Sequence, residues 1–260
     1  YYQADSIIHK LDPRVKLATT LIFIISLFVF DNIAGYAVAA IFLIIVIKLS
    51  KVPFKFMVKG MKAIVFLLLL TVICNLLLTP GEPVVTFWKL TITKEGLRLA
   101  GLMAVRLSFL IIGSSIMTLT TTPNQLTDAM EKMMGPLKKI KVPVHEIAMM
   151  MSIALRFIPI LLEETDKIMK AQIARGADFE SGNLVKKAKS MVPLLVPLFI
   201  SAFRRANDLA MAMEARCYRG GEHRTKMKPL HYEHRDYIAY AIVACYLAAG
   251  IAAGKIVGML

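Results

Sequence analysis

The residues that could carry chemistry in this chain do not assemble into a known catalytic or metal-binding pattern. His145-Glu146 begins like the helical zinc-protease motif, but Met149 stands where that motif needs its second histidine. The histidines near the C-terminus follow no zinc-ligand spacing and stand among lysines and arginines, which favours a solvated basic linker. No G-x-x-x-x-G-K-[ST] loop occurs, so the chain has no phosphate-cradling loop of its own. We therefore expect no catalytic residue, no cofactor and no metal in this chain.

A repeated tripeptide suggests a contact site instead. Ala174-Arg175-Gly176 and Ala215-Arg216-Cys217 each end a long amphipathic stretch, and their arginines are 41 residues apart. One interpretation is a pair of helix C-termini, where Gly176 takes the left-handed conformation and a cation suits the helix dipole. The other is that two exposed helix ends present arginine forks, which pair bidentately with carboxylates on two receiving surfaces. The pattern alone leaves both open.

The composition indicates the class of protein to which these helix ends belong. The chain has 260 residues, of which 57% are apolar, and a net charge of +14. Soluble domains are usually about 45–50% apolar, so a water-soluble globular enzyme is excluded. Apolar runs fall at 13–30, 33–49, 63–78, 97–119 and 237–254. Because backbone groups inside hydrocarbon must bond internally, each run predicts a membrane-spanning helix.

The basic residues predict the orientation of these spans. The 31–32 turn has no lysine or arginine, the 48–62 connection has five, and the 123–236 segment has nineteen. Basic loops stay cytoplasmic, so we expect the N-terminus and 123–236 inside and the C-terminus outside. We expect no signal peptide, because no cleavage pattern precedes the first run. Topology explains the positive charge, and no nucleic-acid partner is expected.

The 123–236 segment is too long for a loop and too apolar to be disordered. It predicts a short helix at about 124–138 and two helices of about 30 residues, separated by a turn at 178–183. Runs 142–162 and 191–203 are apolar, and we interpret them as interfacial or packed against the membrane bundle rather than as membrane spans. Apolar residues at a 3-4 spacing predict a seam along which the long helices pack. The predicted seam contains Ile158, Leu161, Leu195, Phe199, Ala202 and Ala206.

The predicted fold is an all-α integral membrane protein with about five transmembrane helices and a cytoplasmic coupling segment of one short and two long crossed helices. The first four transmembrane helices occupy 1–122, the coupling helices occupy 123–236, and the fifth transmembrane helix occupies 237–260. Arg106 lies within the fourth span, where a cation is a functional suspect by default. It could equally lie near the cytoplasmic end of that helix or face the bundle.

The whole layout resembles the transmembrane T component of energy-coupling factor (ECF) transporters. The resemblance covers essentially the whole chain. It rests on Asp5-Ser6, the Leu11-Asp12-Pro13-Arg14-Val15-Lys16 run, Ala174-Arg175-Gly176, Met213-Glu214-Ala215-Arg216 and Tyr218-Arg219-Gly220-Gly221. In that family two long cytoplasmic helices cross, and each ends in an Ala-Arg-Gly motif that docks in a groove on one of two ATPase subunits. Cys217 stands where the family has glycine.

The resemblance implies a function and a set of partners. The chain would be the energy-coupling transmembrane subunit of an ECF-type ABC importer in a bacterial cell membrane, for vitamins or other micronutrients. Its partners would be two ABC-type ATPase subunits, one small membrane-embedded substrate-binding subunit and the lipid bilayer. Two alternatives remain, a stand-alone secondary transporter and a membrane-anchored scaffold. A secondary transporter would need paired intramembrane charges and repeated halves, whereas the sequence shows one such arginine and no internal repeat.

Overall fold

A computed structural model describes residues 1–30, 32–57, 64–80, 83–87, 90–179, 183–221, 227 and 229–258. The chain divides into two compact units, Tyr1–Ala129 with Lys228–Leu260, and Met130–Met227. The elements in chain order are α1 (Ile7–Lys10), α2 (Pro13–Val29), α3 (Ile33–Ser50), α4 (Val65–Leu78), β1 (Pro83–Phe87), β2 (Leu90–Thr93), α5 (Lys94–Thr120), α6 (Pro123–Met133), a 3₁₀-helix (Gly135–Ile140), α7 (Val144–Ala174), α8 (Leu184–Ala215) and α9 (His234–Gly258).

The prediction of an all-α integral membrane protein is confirmed. Each of the five apolar runs lies in a helix, namely α2, α3, α4, α5 or α9. The 79–96 connection adds a feature that the sequence analysis did not predict, because β1 and β2 pair there as an antiparallel hairpin. The predicted short helix ends at Met133 rather than near 138, and Gly135–Ile140 continues as a 3₁₀-helix. Part of the predicted 178–183 turn lies outside the described residues.

Among the described residues, four helices are long and apolar enough to cross a membrane. They are α3, α5, α7 and the His234–Gly254 part of α9. The α2 and α4 helices, which the sequence predicts as crossings, have 17 and 14 residues and are short for a typical bilayer. The α7 helix, which the sequence places outside the membrane, qualifies by length and composition. The chain is therefore a multi-pass membrane protein.

Hydrogen bonds show which helix ends share a side of the transmembrane unit. The start of α2 meets the end of α5, where Lys16 Nζ donates to the Thr120 carbonyl at 2.9 Å. It also meets the start of α9, where the Asp12 amide donates to Asp236 Oδ1 at 2.9 Å. The Asn32 side-chain amide, between α2 and α3, donates to the carbonyl of Gly254 near the other end of α9 at 3.1 Å. Helices α2 and α9 therefore run in the same direction, and α5 runs against them.

The core of this unit lies where α2, α3, α5 and α9 meet. The rings of Phe42 and Tyr246 stack with centroids 4.5 Å apart, and the Tyr246 hydroxyl lies 2.6 Å from Ser26 Oγ. The α5 helix approaches α2 closely at Gly113, where a Cβ would lie 2.7 Å from the Phe23 ring. Any side chain at this crossing would displace the Phe23 ring or the helices, so glycine allows the close approach.

Candidate docking site at the ends of the two long helices

Side-chain contacts show that α7 and α8 run antiparallel beside each other. Near the end of α7, Gln172 Nε2 donates to the Pro193 carbonyl at 3.2 Å. Eight residues earlier on α7, Glu164 accepts hydrogen bonds from Ser201 and from Arg205, whose Nη2 lies 2.9 Å away. Residues earlier in α7 therefore contact residues later in α8. The C-terminus of each helix consequently lies at the opposite end of the pair from the other.

The first long helix ends in a complete Schellman closure around Arg175. Gly176 has φ +89°, in the left-handed region that glycine tolerates best. Its amide donates to the Ile173 carbonyl at 2.9 Å, and the Ala177 amide donates to the Gln172 carbonyl at 3.0 Å. These bonds satisfy the last carbonyls of α7 and fix the direction in which the chain leaves the helix.

The second long helix ends in the same closure, although Cys217 replaces glycine. Cys217 has φ +55°, its amide donates to the Glu214 carbonyl at 2.8 Å, and the Tyr218 amide donates to the Met213 carbonyl at 3.0 Å. The two closing bonds that follow Arg216 thus repeat the two that follow Arg175. A non-glycine residue with left-handed geometry costs on the order of 1 kcal/mol, which the closure must offset.

All six residues predicted to dock a partner are exposed. Arg175 and Arg216 form no ion pair within the part of the chain that the structure describes. Each arginine follows the negative end of a helix dipole, which stabilises a cation there by a few tenths of a kcal/mol. Both guanidinium groups are therefore available to an external acceptor, and the neighbouring small residues leave the backbone accessible. The exposed set is Ala174, Arg175, Gly176, Ala215, Arg216 and Cys217.

The ion pair between Glu164 and Arg205 lies midway between the two arginine ends. Arg175 follows Glu164 by 11 residues, and Arg216 follows Arg205 by 11 residues. At 1.5 Å per residue, each arm is about 16 Å long. Because the arms point in opposite directions, the two arginines lie roughly 30–40 Å apart. This separation suits two receiving surfaces better than one.

Four of the six residues of the predicted seam are exposed in the structure. Leu195, Phe199 and Ala206 are exposed, as is Ile158 on α7, whereas Leu161 and Ala202 are half-buried. A polar contact through Glu164, Ser201 and Arg205 also joins the two helices, and the apolar periodicity does not include these residues. Leu161, Leu195, Phe199 and Ala202 help to line an open apolar groove of about 500 Å³.

Comparison with known proteins decides the family. The profile of the family described as cobalt transport protein (CbiQ) matches residues 4–227. A protein of Clostridium kluyveri named energy-coupling factor transporter transmembrane protein EcfT is 58% identical over 92% of this chain and 89% of its own length. Proteins of the same name from Thermosediminibacter oceani and Bacillus subtilis are 53% and 48% identical, over 96% and 91% of this chain and 94% and 89% of their own lengths. The chain belongs to the EcfT family of energy-coupling factor transporter transmembrane proteins.

The resemblance seen in the sequence is thereby confirmed, and the chain is an energy-coupling transmembrane subunit of an ECF transporter. Within this EcfT chain, the structure places Arg106 inside the bundle. Its Nε donates to the Tyr36 hydroxyl at 2.7 Å, and its guanidinium lies 5.4 Å from the Phe28 ring centroid. Aromatic faces and a hydroxyl partner lower the cost of this cation in the membrane.

One group of contacts in this EcfT chain is not predicted by the sequence. Asp12 accepts two hydrogen bonds from the Arg14 guanidinium, at 3.0 and 2.8 Å, and that guanidinium also lies 4.0 Å above the Tyr232 ring. Asp236 is buried and accepts the backbone amides of Asp12 and Glu233. The Asp-Pro pair at 12–13 is a recognisable helix start, but its partner at 236 is 224 residues away and carries no local signal.

Proposed function

We propose that this chain couples ATP hydrolysis by two ABC-type ATPase subunits to movement of a small membrane-embedded substrate-binding subunit. The transported substrates would be vitamins or other micronutrients, and their pocket would belong to that other subunit. The observation that carries the proposal is the repeated closure, which presents one exposed arginine at each end of an antiparallel helix pair. Two equivalent sites about 30–40 Å apart fit two similar ATPases, one on each end.

Each docking contact would be a charge-assisted pair. The planar guanidinium donates two parallel hydrogen bonds to a carboxylate, and the helix end beside it adds no competing positive charge. Small residues on both sides of the arginine let the partner's backbone come close. The proposed docking residues are Ala174, Arg175, Gly176, Ala215, Arg216 and Cys217.

Movement would pass from these ends to the apolar surface of the helix pair. When the ATPases close, they change the separation or the angle of the two arginine ends. The contact through Glu164 and Arg205 lies midway, so both arms would turn about the same point. The exposed apolar residues Ile158, Leu195 and Phe199 would then move together against a neighbouring apolar surface, which we assign to the substrate-binding subunit.

The proposal requires a particular placement in the membrane. The N-terminus and the 123–236 segment would lie in the cytoplasm, where the ATPases are, and the C-terminus would lie outside. Residues 1–122 and 237–260 would contain the five crossings. The α7 helix would not cross, because Glu146 and Arg156 interrupt its apolar first half and its second half carries a run of charged residues that hydrocarbon would not accept. These are Glu163, Glu164, Asp166, Lys167 and Lys170.

Alanine substitution of the two arginines tests the proposal. Removal of a charge-assisted pair from a partly buried interface costs roughly 2–5 kcal/mol. We therefore expect Arg175→Ala or Arg216→Ala to weaken ATPase binding by about 30-fold to several thousand-fold. The double variant should lose more affinity. Replacement of either arginine with lysine should keep only part of the affinity, because lysine lacks the planar guanidinium that donates two parallel hydrogen bonds. The measurement is the affinity of purified ATPases for the chain in nanodiscs.

Arg204→Ala is the matched control, because Arg204 is also exposed and lies on α8 but away from its end. It should leave ATPase affinity unchanged. Wild-type affinity in the Arg175→Ala/Arg216→Ala double variant would refute the docking assignment. Copurification from native membrane adds an independent check, since the proposal requires both ATPases and a small membrane protein to be retained with the chain.

A further inference from the structure

The segment after α8 contains a glycine that packs directly on an imidazole ring. Gly220 has φ +88° and turns the chain back toward the start of α7. At the next residue, Gly221, a Cβ would lie 2.2 Å from Cδ2 of His145 and 2.5 Å from its Cγ. No side chain can occupy that position unless the ring moves. The backbone of the second arginine end is therefore seated against the first turn of α7.

The ring that receives Gly221 is itself held in place. His145 Nδ1 lies 2.9 Å from Oε1 of Glu131, which comes from α6 and accepts its hydrogen bond. The two side chains are only 19% and 15% exposed. Gly221 also shares a cleft with Val142 and Val144, so the whole α6–α7 junction forms its seat. Because the His145 ring and the α6–α7 junction are both held in place, the contact with Gly221 has a defined position.

We propose that Glu131, His145 and Gly221 form a clasp that positions Arg216. The proposal rests on the proposed function in that Arg216 is taken as a docking residue. Arg175 is fixed to the C-terminus of α7 by its own helix closure, and the clasp fixes the Arg216 end to the N-terminus of the same helix. A single helix, α7, then sets the distance between the two docking arginines. His145 and Gly221 act through Arg216 and are positioning residues.

A double-mutant cycle isolates the clasp contact. Gly221→Ala adds one methyl group against the His145 ring, and we expect it to weaken ATPase binding about tenfold. His145→Ala removes the ring, so the same Gly221→Ala change should then cost almost nothing further. A purely local effect of alanine on the loop would cost the same in both backgrounds. Gly135→Ala is the matched control, because a Cβ at Gly135 meets no atom within 4 Å.

A distance measurement on the isolated chain separates the clasp from the docking proposal. Spin labels at Asp178 and Arg219, on a background without other cysteines, report the separation of the two ends with no ATPase present. The unmodified clasp should give one narrow distribution near 30–40 Å. His145→Ala should broaden it without adding any atom, and Gly221→Ala should shift or broaden it only when His145 is present.

The outcomes are distinct. Equal effects of Gly221→Ala with and without His145, or a narrow unchanged distribution in His145→Ala, would overturn the clasp. Broadened distances together with unchanged ATPase affinity would keep the clasp as a structural contact and overturn its role in positioning Arg216. If Arg216→Ala itself leaves docking intact, the proposed function fails while the distance result still decides the clasp. If Gly221→Ala does not fold, the His145→Ala distance distribution still supports or refutes the contact.

Discussion

Replacement of Glu164 with arginine tests how the two long helices hold together. In the structure Glu164 accepts hydrogen bonds from Ser201 and Arg205. Its side chain is 22% exposed and that of Arg205 is 40% exposed, so water screens the pair. The ion pair alone therefore contributes about 1 kcal/mol or less. The Ser201 bond to a charged acceptor adds about 1.5–3 kcal/mol.

Charge reversal does more than remove these contributions, because it places a second guanidinium beside Arg205. At about 4 Å and an effective dielectric constant near 20, the repulsion is about 4 kcal/mol before the side chains move apart. Since both groups can turn toward water, we expect Glu164→Arg to cost about 3 kcal/mol in total. For a chain of this size that corresponds to a fall in the unfolding midpoint of about 6–10 °C.

The assay is thermal unfolding of the purified chain in nanodiscs. Glu164→Arg combined with Arg205→Glu restores opposite charges and should recover at least half of the lost midpoint. Ala206→Leu is the control, because Ala206 is exposed beside Arg205 and its enlargement should leave the midpoint unchanged. If the reversed pair is no more stable than Glu164→Arg alone, the contact does not hold the helices together. A large fall in the unfolding midpoint of Ala206→Leu would instead support the predicted apolar seam.

Three further predictions follow from the structure. Single cysteines introduced on a cysteine-free background should react with an impermeant thiol reagent in intact cells at Pro80 but not at Asp178; the reverse pattern would invert the orientation. Asp236→Ala should lower the unfolding midpoint more than Asp236→Asn, because alanine leaves the buried bond of the Asp12 amide and the partly buried bond of the Glu233 amide unmade, at about 1–3 kcal/mol for the buried one; equal midpoints would show that the amides find other partners. Cys217→Gly should keep ATPase affinity within about twofold, whereas Cys217→Val should weaken it, because a β-branched residue resists the left-handed conformation; unchanged affinity in Cys217→Val would show that the closure is not needed for docking.

Local sequence signals predicted the helices and the first closure. The five apolar runs all lie in helices, since a run that cannot be solvated must satisfy its own backbone. The helix-end interpretation predicts a left-handed cap at Gly176, and its φ of +89° agrees. The second closure could not be assigned from the same rule, because Cys217 is not a residue that usually adopts positive φ. Its geometry follows from the bonds of Cys217 and Tyr218 to the last turn of the helix.

Contacts between distant residues could not be predicted from the sequence. Glu164 of α7 meets Ser201 and Arg205 of α8, because a carboxylate at a contact between helices needs hydrogen-bond donors. The spacing of apolar residues along a helix does not indicate where a carboxylate needs hydrogen-bond donors. The pairing of Asp12 with Asp236 and the seat of Gly221 on His145 join residues far apart in the chain. No local pattern marks either contact.

The equal spacing of the two long helices has a consequence for symmetry. The same offset of 41 residues relates Glu164 to Arg205 and Arg175 to Arg216, so an approximate twofold rotation through the central ion pair exchanges the two ends. Two similar partners would meet equivalent arginines under this rotation. The two ends differ on both sides of the arginine. Two residues before it, Ile173 stands at one end and the exposed Glu214 at the other, and three residues after it, Asp178 stands at one end and Arg219 at the other. The nearest charge by which a partner could recognise its own end therefore lies two residues before the arginine.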